Sequence, residues 1–271
     1  MNHRLVLREP PRLRIDARQL APAVLGLLTA EEVQRLRLPH GREHLVVGDL
    51  FDVRPGPEGN TLRVDIEGDL SRFDAVGAGL AGHTLQVQGP VGDSAGLGMT
   101  GGRLVIHGNA GDLTGCAMRG GWLEVMGDTG DLAASGLPGS MEGMAGGALV
   151  VRGRAGDRTA DRLRRGSVVV CGDVGDFAGS RMVAGTLAVG GRAAGHPGWG
   201  MRRGSLLLAG AKPEVPSTFV PVPSQADVFW QLFARDLAWF GGSFADLPRR
   251  RVERWAGDLA VQGKGELLFL G

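Results

Sequence analysis

Thr84-Leu85-Gln86-Val87-Gln88-Gly89 is answered nineteen residues later by Arg103-Leu104-Val105-Ile106-His107-Gly108. The phrase returns at Trp122–Gly127, Ala148–Gly153, Ser167–Gly172, Thr186–Gly191 and Ser205–Gly210. Each interval is nineteen residues except the third, which is twenty-six because Ser135 to Met141 reads as a loop inserted in one turn. Every copy opens with two apolar residues one position apart, from Leu85 and Val87 to Leu206 and Leu208, and closes on glycine. Alternation with β-branched residues is a strand signal, and glycine at this density would cost a helix roughly 0.5–1 kcal/mol per residue. A fixed period of this size means stacked coils. The fold class expected is all-β: a right-handed parallel β-helix of about nineteen-residue coils, since nineteen does not divide into the strict hexapeptides of left-handed β-helices.

The remainder of each repeat fits turns. Glycine followed by aspartate recurs at Gly92-Asp93, Gly111-Asp112, Gly130-Asp131, Gly156-Asp157 and Gly175-Asp176, and the sixth repeat departs with Ala194 and Gly195. Glycine supplies positive φ, and aspartate is expected to bond nearby backbone. Met99, Met118, Met144, Met182 and Met201, with Leu163 in the fourth coil, read as a gap-filling core stack.

The ends differ from the coil. Leu5 to Ile15 is strand-like around Pro10 and Pro11, and Thr29 with Glu32 is a capping-box pattern that predicts a helix over Ala30 to Leu38, halted by Pro39. Leu45 to Val53 and Leu62 to Ile66 read as strands. Gly77-Ala78-Gly79-Leu80-Ala81-Gly82 spells the phosphate-cradling Gly-x-Gly-x-x-Gly, but another β-type run follows it where a dinucleotide fold needs a helix. After Gly210, Pro213, Pro216, Pro221 and Pro223 form an extended connector. Ser224 and Asp227 then open a helix, Gln225 to Phe240, with Val228, Phe229, Leu232, Phe233, Leu237 and Phe240 on a broad stripe and Gly241-Gly242 at its end. The expected organisation is an N-terminal segment and cap over 1–60, the β-helix over 61–211, and a connector, helix and closing segment over 212–271. Nine of the fourteen Phe and Trp residues follow Lys212. Phe229, Trp230, Phe233, Trp239 and Trp255 are the candidate partner-binding residues, because aromatics concentrate at interface cores; the competing reading is that this segment covers the coil.

A formal charge of +1 on 271 residues gives no electrostatic preference for nucleic acid or membrane. Met1 to Arg18 has charges and prolines where a signal peptide needs an apolar run, so a cytoplasmic protein is expected. Cys116 and Cys171 lack metal or disulfide spacing and read as small core or near-core residues. His3, His40, His44, His83, His107 and His196 are scattered, so neither catalytic nor metal residues are assigned. The aspartate ladder admits a lyase or hydrolase reading in which Asp112 and Asp131 act on a substrate, although each aspartate also has a turn to serve. Among the arginines of the strand ends and turns, which include Arg158, Arg162 and Arg202, one cluster has the chemistry to hold an anionic ligand or an acidic protein face.

The phrase Gly108-Asn109-Ala110-Gly111-Asp112, with Gly115, Met118 and Gly120-Gly121, resembles the Gly-x-Gly-x-Gly domain shared by glutamate synthase large subunits and the C subunit of formylmethanofuran dehydrogenase. Trp255-Ala256-Gly257-Asp258-Leu259 and Gly263-Lys264-Gly265-Glu266-Leu267 resemble that C subunit's closing region. The resemblance implies a hetero-oligomeric assembly: the molybdenum or tungsten dehydrogenase of methanogens, or the formyltransferase/hydrolase complex of methylotrophic bacteria. The latter moves a formyl group between tetrahydromethanopterin and a methanofuran analogue and releases formate; the arginine-rich composition favours it. It implies that metal and catalytic residues belong to other subunits, that this chain carries no cofactor of its own, and that it is a scaffold. A detached glutamate-synthase-type domain is the third reading.

Overall fold

The computed structural model describes residues 1–56, 61–223 and 227–270. The N-terminal part runs β1 (His3–Leu7), β2 (Ile15–Asp16), α1 (Pro22–Leu25), α2 (Ala30–Gln34), β3 (Arg37–His40), β4 (Glu43–Val46), α3 (Val47–Leu50) and β5 (Phe51–Pro55). The repeats supply β6 (Arg63–Glu67), β7 (Phe73–Asp74), β8 (Thr84–Gln88), β9 (Thr100–Ile106), β10 (Arg119–Val125), β11 (Ala145–Val151), β12 (Arg165–Val170), β13 (Thr186–Val189) and β14 (Ser205–Leu208). After them come β15 (Val220–Val222), α4 (Asp227–Ala238), β16 (Val252–Gly257) and β17 (Gly265–Leu270).

The chain is mostly β, and its organising element is a thirteen-stranded sheet in which β6 and β8 to β14 lie side by side in sequence order, all parallel. Its register is the repeat read from the sequence. Leu85, Leu104, Leu123, Leu149, Val168, Leu187 and Leu206 stand opposite one another in turn, and Leu267 of β17 continues the row. Val87, Ile106, Val125, Val151, Val170, Val189, Leu208 and Phe269 form a second buried row two residues on. Isolated parallel bridges such as Ala110 to Thr129 and Val174 to Ala193 mark further contact between successive repeats. The five coil-end methionines and Leu163 are fully buried, so the soft side chains fill the core as expected.

Antiparallel strands close both ends of the parallel run. β1 pairs parallel with β6 and antiparallel with β5; β17 pairs parallel with β14 and antiparallel with β16, which pairs with β15. This leaves β5 and β15 as the sheet edges, and β15 carries Pro221, which has no N–H to offer another strand.

Three local expectations are corrected. The capping box is present, with Glu32 N–H donating to Thr29 Oγ1 and the Glu32 carboxylate accepting from Thr29 N–H, but α2 stops at Gln34. Arg37–His40 is instead a strand paired with β4 across Gly41, at φ +63°, and Pro39 stands within it. Leu45 to Val53 is two strands separated by the single turn α3, where the Asp49 carboxylate accepts from Val46 N–H. The last helix is described over Asp227–Ala238, so the expected opening at Ser224 and Gln225 lies outside the described residues. Its buried stripe is Trp230, Ala234 and Leu237, with Phe233 half-buried, while Val228 and Leu232 face outward. Six apolar residues span more of a helix circumference than one sheet face receives, and the i, i+4, i+7 set is the one that meets the sheet. The seat of that stripe is the outward row Val169, Ala188, Leu207 and Leu268.

Candidate functional site

The aromatic residues of the last segment divide by face. Phe229 on α4 is 45% exposed beside Val228 and Leu232, and Trp239, just past the helix's last residue, is 71% exposed. Phe229 stacks on Phe233 at 5.5 Å. Trp230 is only 8% exposed and its Nε1–H donates to Arg250 O at 2.9 Å, so its ring is committed to the chain's own core rather than offered to a partner. Trp255 is half-buried on β16 with the Lys212 ammonium 5.1 Å above its ring.

The C-terminal end of α4 is tied down by charge. Arg152 Nη1–H donates to Phe240 O at 2.9 Å, while its Nε and Nη2 donate to Glu124 Oε1 at 3.0 and 2.7 Å. Burial pushes the Glu124 carboxyl up, but the hydrogen bonds from Arg152 and Trp122 and the charges of Arg152 and Arg103 outweigh it and hold the group below its ordinary range. Phe240 stacks on Trp122 at 6.2 Å, and Trp239 meets the same ring edge-on at 5.8 Å. The exposed apolar face of α4 is therefore held rigidly on the outside of the sheet.

The aspartate ladder does something other than close local turns. Asp93 Oδ1 accepts from Asp112 N–H at 3.1 Å, Asp112 Oδ1 from Asp131 N–H at 2.9 Å, Asp131 Oδ1 from Asp157 N–H at 2.8 Å, and Asp157 Oδ1 from Asp176 N–H at 2.8 Å. The row ends where Asp176 Oδ1 accepts from Gly195 N–H. Each carboxylate staples its coil to the next, which places negative groups in a row while giving every one a backbone donor.

A second row immediately follows the aspartates in sequence. Ala75, Ser94, Leu113, Leu132, Arg158, Phe177 and His196 recur at coil spacing and all adopt φ between 56° and 62°. The αL region costs a non-glycine residue roughly 1–2 kcal/mol, and here the N–H of each of the first six bonds to a carbonyl of the next coil, as in Leu113 to Asp131 at 2.8 Å and Arg158 to Asp176 at 2.7 Å. In the later coils this row and its neighbours bring together Arg158, Asp161, Arg162, Phe177, Arg181 and Trp199 beside the inserted loop. Asp161 is buried and accepts from Ser180 Oγ at 2.7 Å, from Arg181 Nε at 2.9 Å and from Arg158 Nη2 at 3.3 Å. Of this cluster the sequence singles out Arg158 and Arg162 but not Asp161, Arg181 or Trp199. The signal that would find them is the period itself: Asp161, Ser180 and Trp199 occupy one coil position in three successive coils.

Among the described residues no group of three or more His, Cys, Asp or Glu side chains is placed to hold a metal ion, and no helix is long and apolar enough to cross a membrane. Cys116 is buried and Cys171 half-buried, and both are free thiols. His107 joins Gln86 at 2.8 Å, and His196 stacks on Phe177 at 4.9 Å.

No family model matches the chain. The C subunit of the tungsten-containing formylmethanofuran dehydrogenase 2 of Methanothermobacter thermautotrophicus is 30% identical over 89 residues, 32% of this chain and 33% of that protein. The C subunit of the formyltransferase/hydrolase complex Fhc of Methylorubrum extorquens is 39% identical over 79 residues, 29% of each. The aligned stretches thus span about a third of these curated relatives. The structural comparison extends over the whole chain: a chain of the crystal structure of the formyltransferase/hydrolase complex FhcABCD from Methylorubrum extorquens, in complex with methylofuran, superposes with a TM-score of 0.89, 37% identity and coverage of 99% of both chains. At that identity over the full length, the chain belongs to the family of C subunits of formyltransferase/hydrolase and formylmethanofuran dehydrogenase complexes.

Proposed function

We propose that this chain is a non-catalytic scaffold subunit of a cytoplasmic formyltransferase/hydrolase complex, and that its partners are the complex's other subunits. Those partners would carry the transfer of a formyl group between tetrahydromethanopterin and a methanofuran analogue and the release of formate, with any metal in their sites. The observation that carries this reading is the full-length likeness, at 37% identity, to a chain of FhcABCD. The chemistry of the surface agrees with it: the aspartates that an acid-ladder enzyme would use are each spent on a backbone N–H of the next coil.

In this reading the sheet and its turns form a right-handed parallel β-helix over 61–211, residues 1–60 cap one end, and 212–271 close the other and dress the outer face. A post of stacked coils suits a scaffold because each coil is fixed by its neighbours and the surface it offers is rigid. The exposed face of α4, with Phe229 and Leu232 and with Trp239 just past its end, is the proposed contact for one partner; Phe233 stacks against Phe229, Trp230 anchors the helix, and Trp255 packs on the sheet's other face opposite Leu267 and takes no part in this contact. Co-expression of the tagged chain with the other subunits tests the reading. Expected is recovery of a hetero-oligomer with formyl transfer and formate release, and no turnover by the chain alone; turnover without partners overturns it.

A further inference from the structure

The turns next to the inserted loop change character along the stack. The coil positions that hold Arg158, Asp161 and Arg162 hold Leu113, Cys116 and Ala117 two coils earlier. The change falls where the extra seven residues enter, and insertions in stacked repeats gather on one face, often the binding face. Three neighbouring concavities of about 250, 330 and 310 Å³ lie here side by side, with Arg158, Arg162, Arg181 and Trp199 each lining two of them. The inserted loop walls one side, where Arg162 Nη1 donates to Ser140 O. The turn at Asp258 to Val261 walls the other.

The groove's accessible charge is positive. Its two carboxylates, Asp161 and Asp258, are buried and engaged: Asp161 by Ser180, Arg158 and Arg181, and Asp258 by the N–H groups of Gly200 at 3.0 Å and Ala260 at 2.9 Å. Arg202 is exposed at the rim and, among the described residues, makes no side-chain hydrogen bond or ion pair. Met141 is 76% and Trp199 52% exposed between these guanidinium groups. Arginine, tryptophan and methionine are the side chains enriched in interface cores, and planar guanidinium groups match carboxylates in paired hydrogen bonds.

We propose that this groove seats an extended acidic segment of a partner subunit, with carboxylates on Arg162 and Arg202 and an apolar side chain against Trp199 and Met141, while Arg181 stays paired with Asp161. It is a docking surface separate from the α4 face, and it rests on the scaffold reading above. Charge complementarity selects the occupant: a neutral or basic segment would leave the cationic rim unpaired.

The test uses the assembled complex. Differently tagged wild-type and variant chains are co-expressed with the other subunits, and the ratio incorporated is read by native mass spectrometry. Arg202→Glu and Trp199→Ala are each expected to be outcompeted roughly tenfold, with the Arg202→Glu deficit shrinking as salt is raised and isolated variants melting like wild type. Arg35→Glu, an exposed charge reversal at the other end of the molecule, is expected to incorporate at parity. Parity for both groove variants, or an equal loss in Arg35→Glu, overturns the proposal. Normal incorporation with loss of a bound small anion overturns it too, in favour of a ligand site. Failure of the wild-type chain to recover any partner is a different result and sinks the scaffold reading instead.

Discussion

Gly108→Ala, compared with Gly98→Ala, separates the two reasons a coil demands glycine. Gly108 closes the strand phrase in ordinary backbone geometry, yet a Cβ there would lie 2.6 Å from Gly89 C and Pro90 N and 2.7 Å from Gly89 O, all backbone of the coil below. Ordinary contact begins near 3.4 Å, so the coils must part by about 0.8 Å. The bonds that join them there, His107 N–H to Val87 O and Val91 N–H to Asn109 O, are 2.8 Å each and would stretch beyond useful length. Weakening two such bonds at about 1 kcal/mol each and adding overpacking strain of about 1–3 kcal/mol gives a cost of roughly 3 kcal/mol. Gly98 is the reverse case: φ is +62° and nothing lies within 4 Å of an added Cβ. Alanine there costs roughly 1 kcal/mol of backbone strain, partly offset by a less free unfolded chain, and Ala117 already occupies the equivalent position one coil later at φ +54°. Urea unfolding followed by circular dichroism measures both. A Gly98→Ala loss equal to or larger than that of Gly108→Ala, at unchanged m-value, refutes close approach as the reason for the glycine row.

Leu104→Ala, in the fully buried row between Leu85 and Leu123, is expected to cost about 2–5 kcal/mol, measured by the same unfolding experiment. Glu124→Gln leaves Arg152 without its carboxylate and should cost about 1–3 kcal/mol at neutral pH. Because the Glu124 carboxyl is held below its ordinary 4.5, its stabilisation is complete above that value and is lost as pH falls through the lower folded value; the gap in melting temperature between wild type and variant should close with acidification, and a constant gap contradicts the ion pair. Burial pushes the Cys116 thiol up to about 11, against a smaller opposing effect of its bond with Ser135. Iodoacetamide at pH 8 should therefore spare Cys116 in the folded chain and label it only on unfolding, as peptide mapping would show.

The repeat period was legible because parallel stacking forces equal positions into contact: Leu85, Leu104 and Leu123 are apolar for one reason, and a nineteen-residue spacing is all that reason leaves in a sequence. The methionine stack and the capping box at Thr29 were readable on the same ground, since each depends on a local or strictly periodic partner. What the sequence alone left undecided depends on partners at no fixed distance along the chain. The length of α2 was decided by a hairpin that claimed Arg37–His40, and the buried face of α4 by the outward row Val169, Ala188 and Leu207, so that Trp230 turned inward and Trp239 outward. The αL row hid because rules of local preference look for glycine there, whereas Leu113, Arg158 and Phe177 are held by hydrogen bonds to the following coil. The same pairing between repeats brings Arg158, Arg162, Arg181 and Trp199 to neighbouring concavities: backbone propensity sets what each turn can be, but only the register between successive repeats decides which side chains become neighbours.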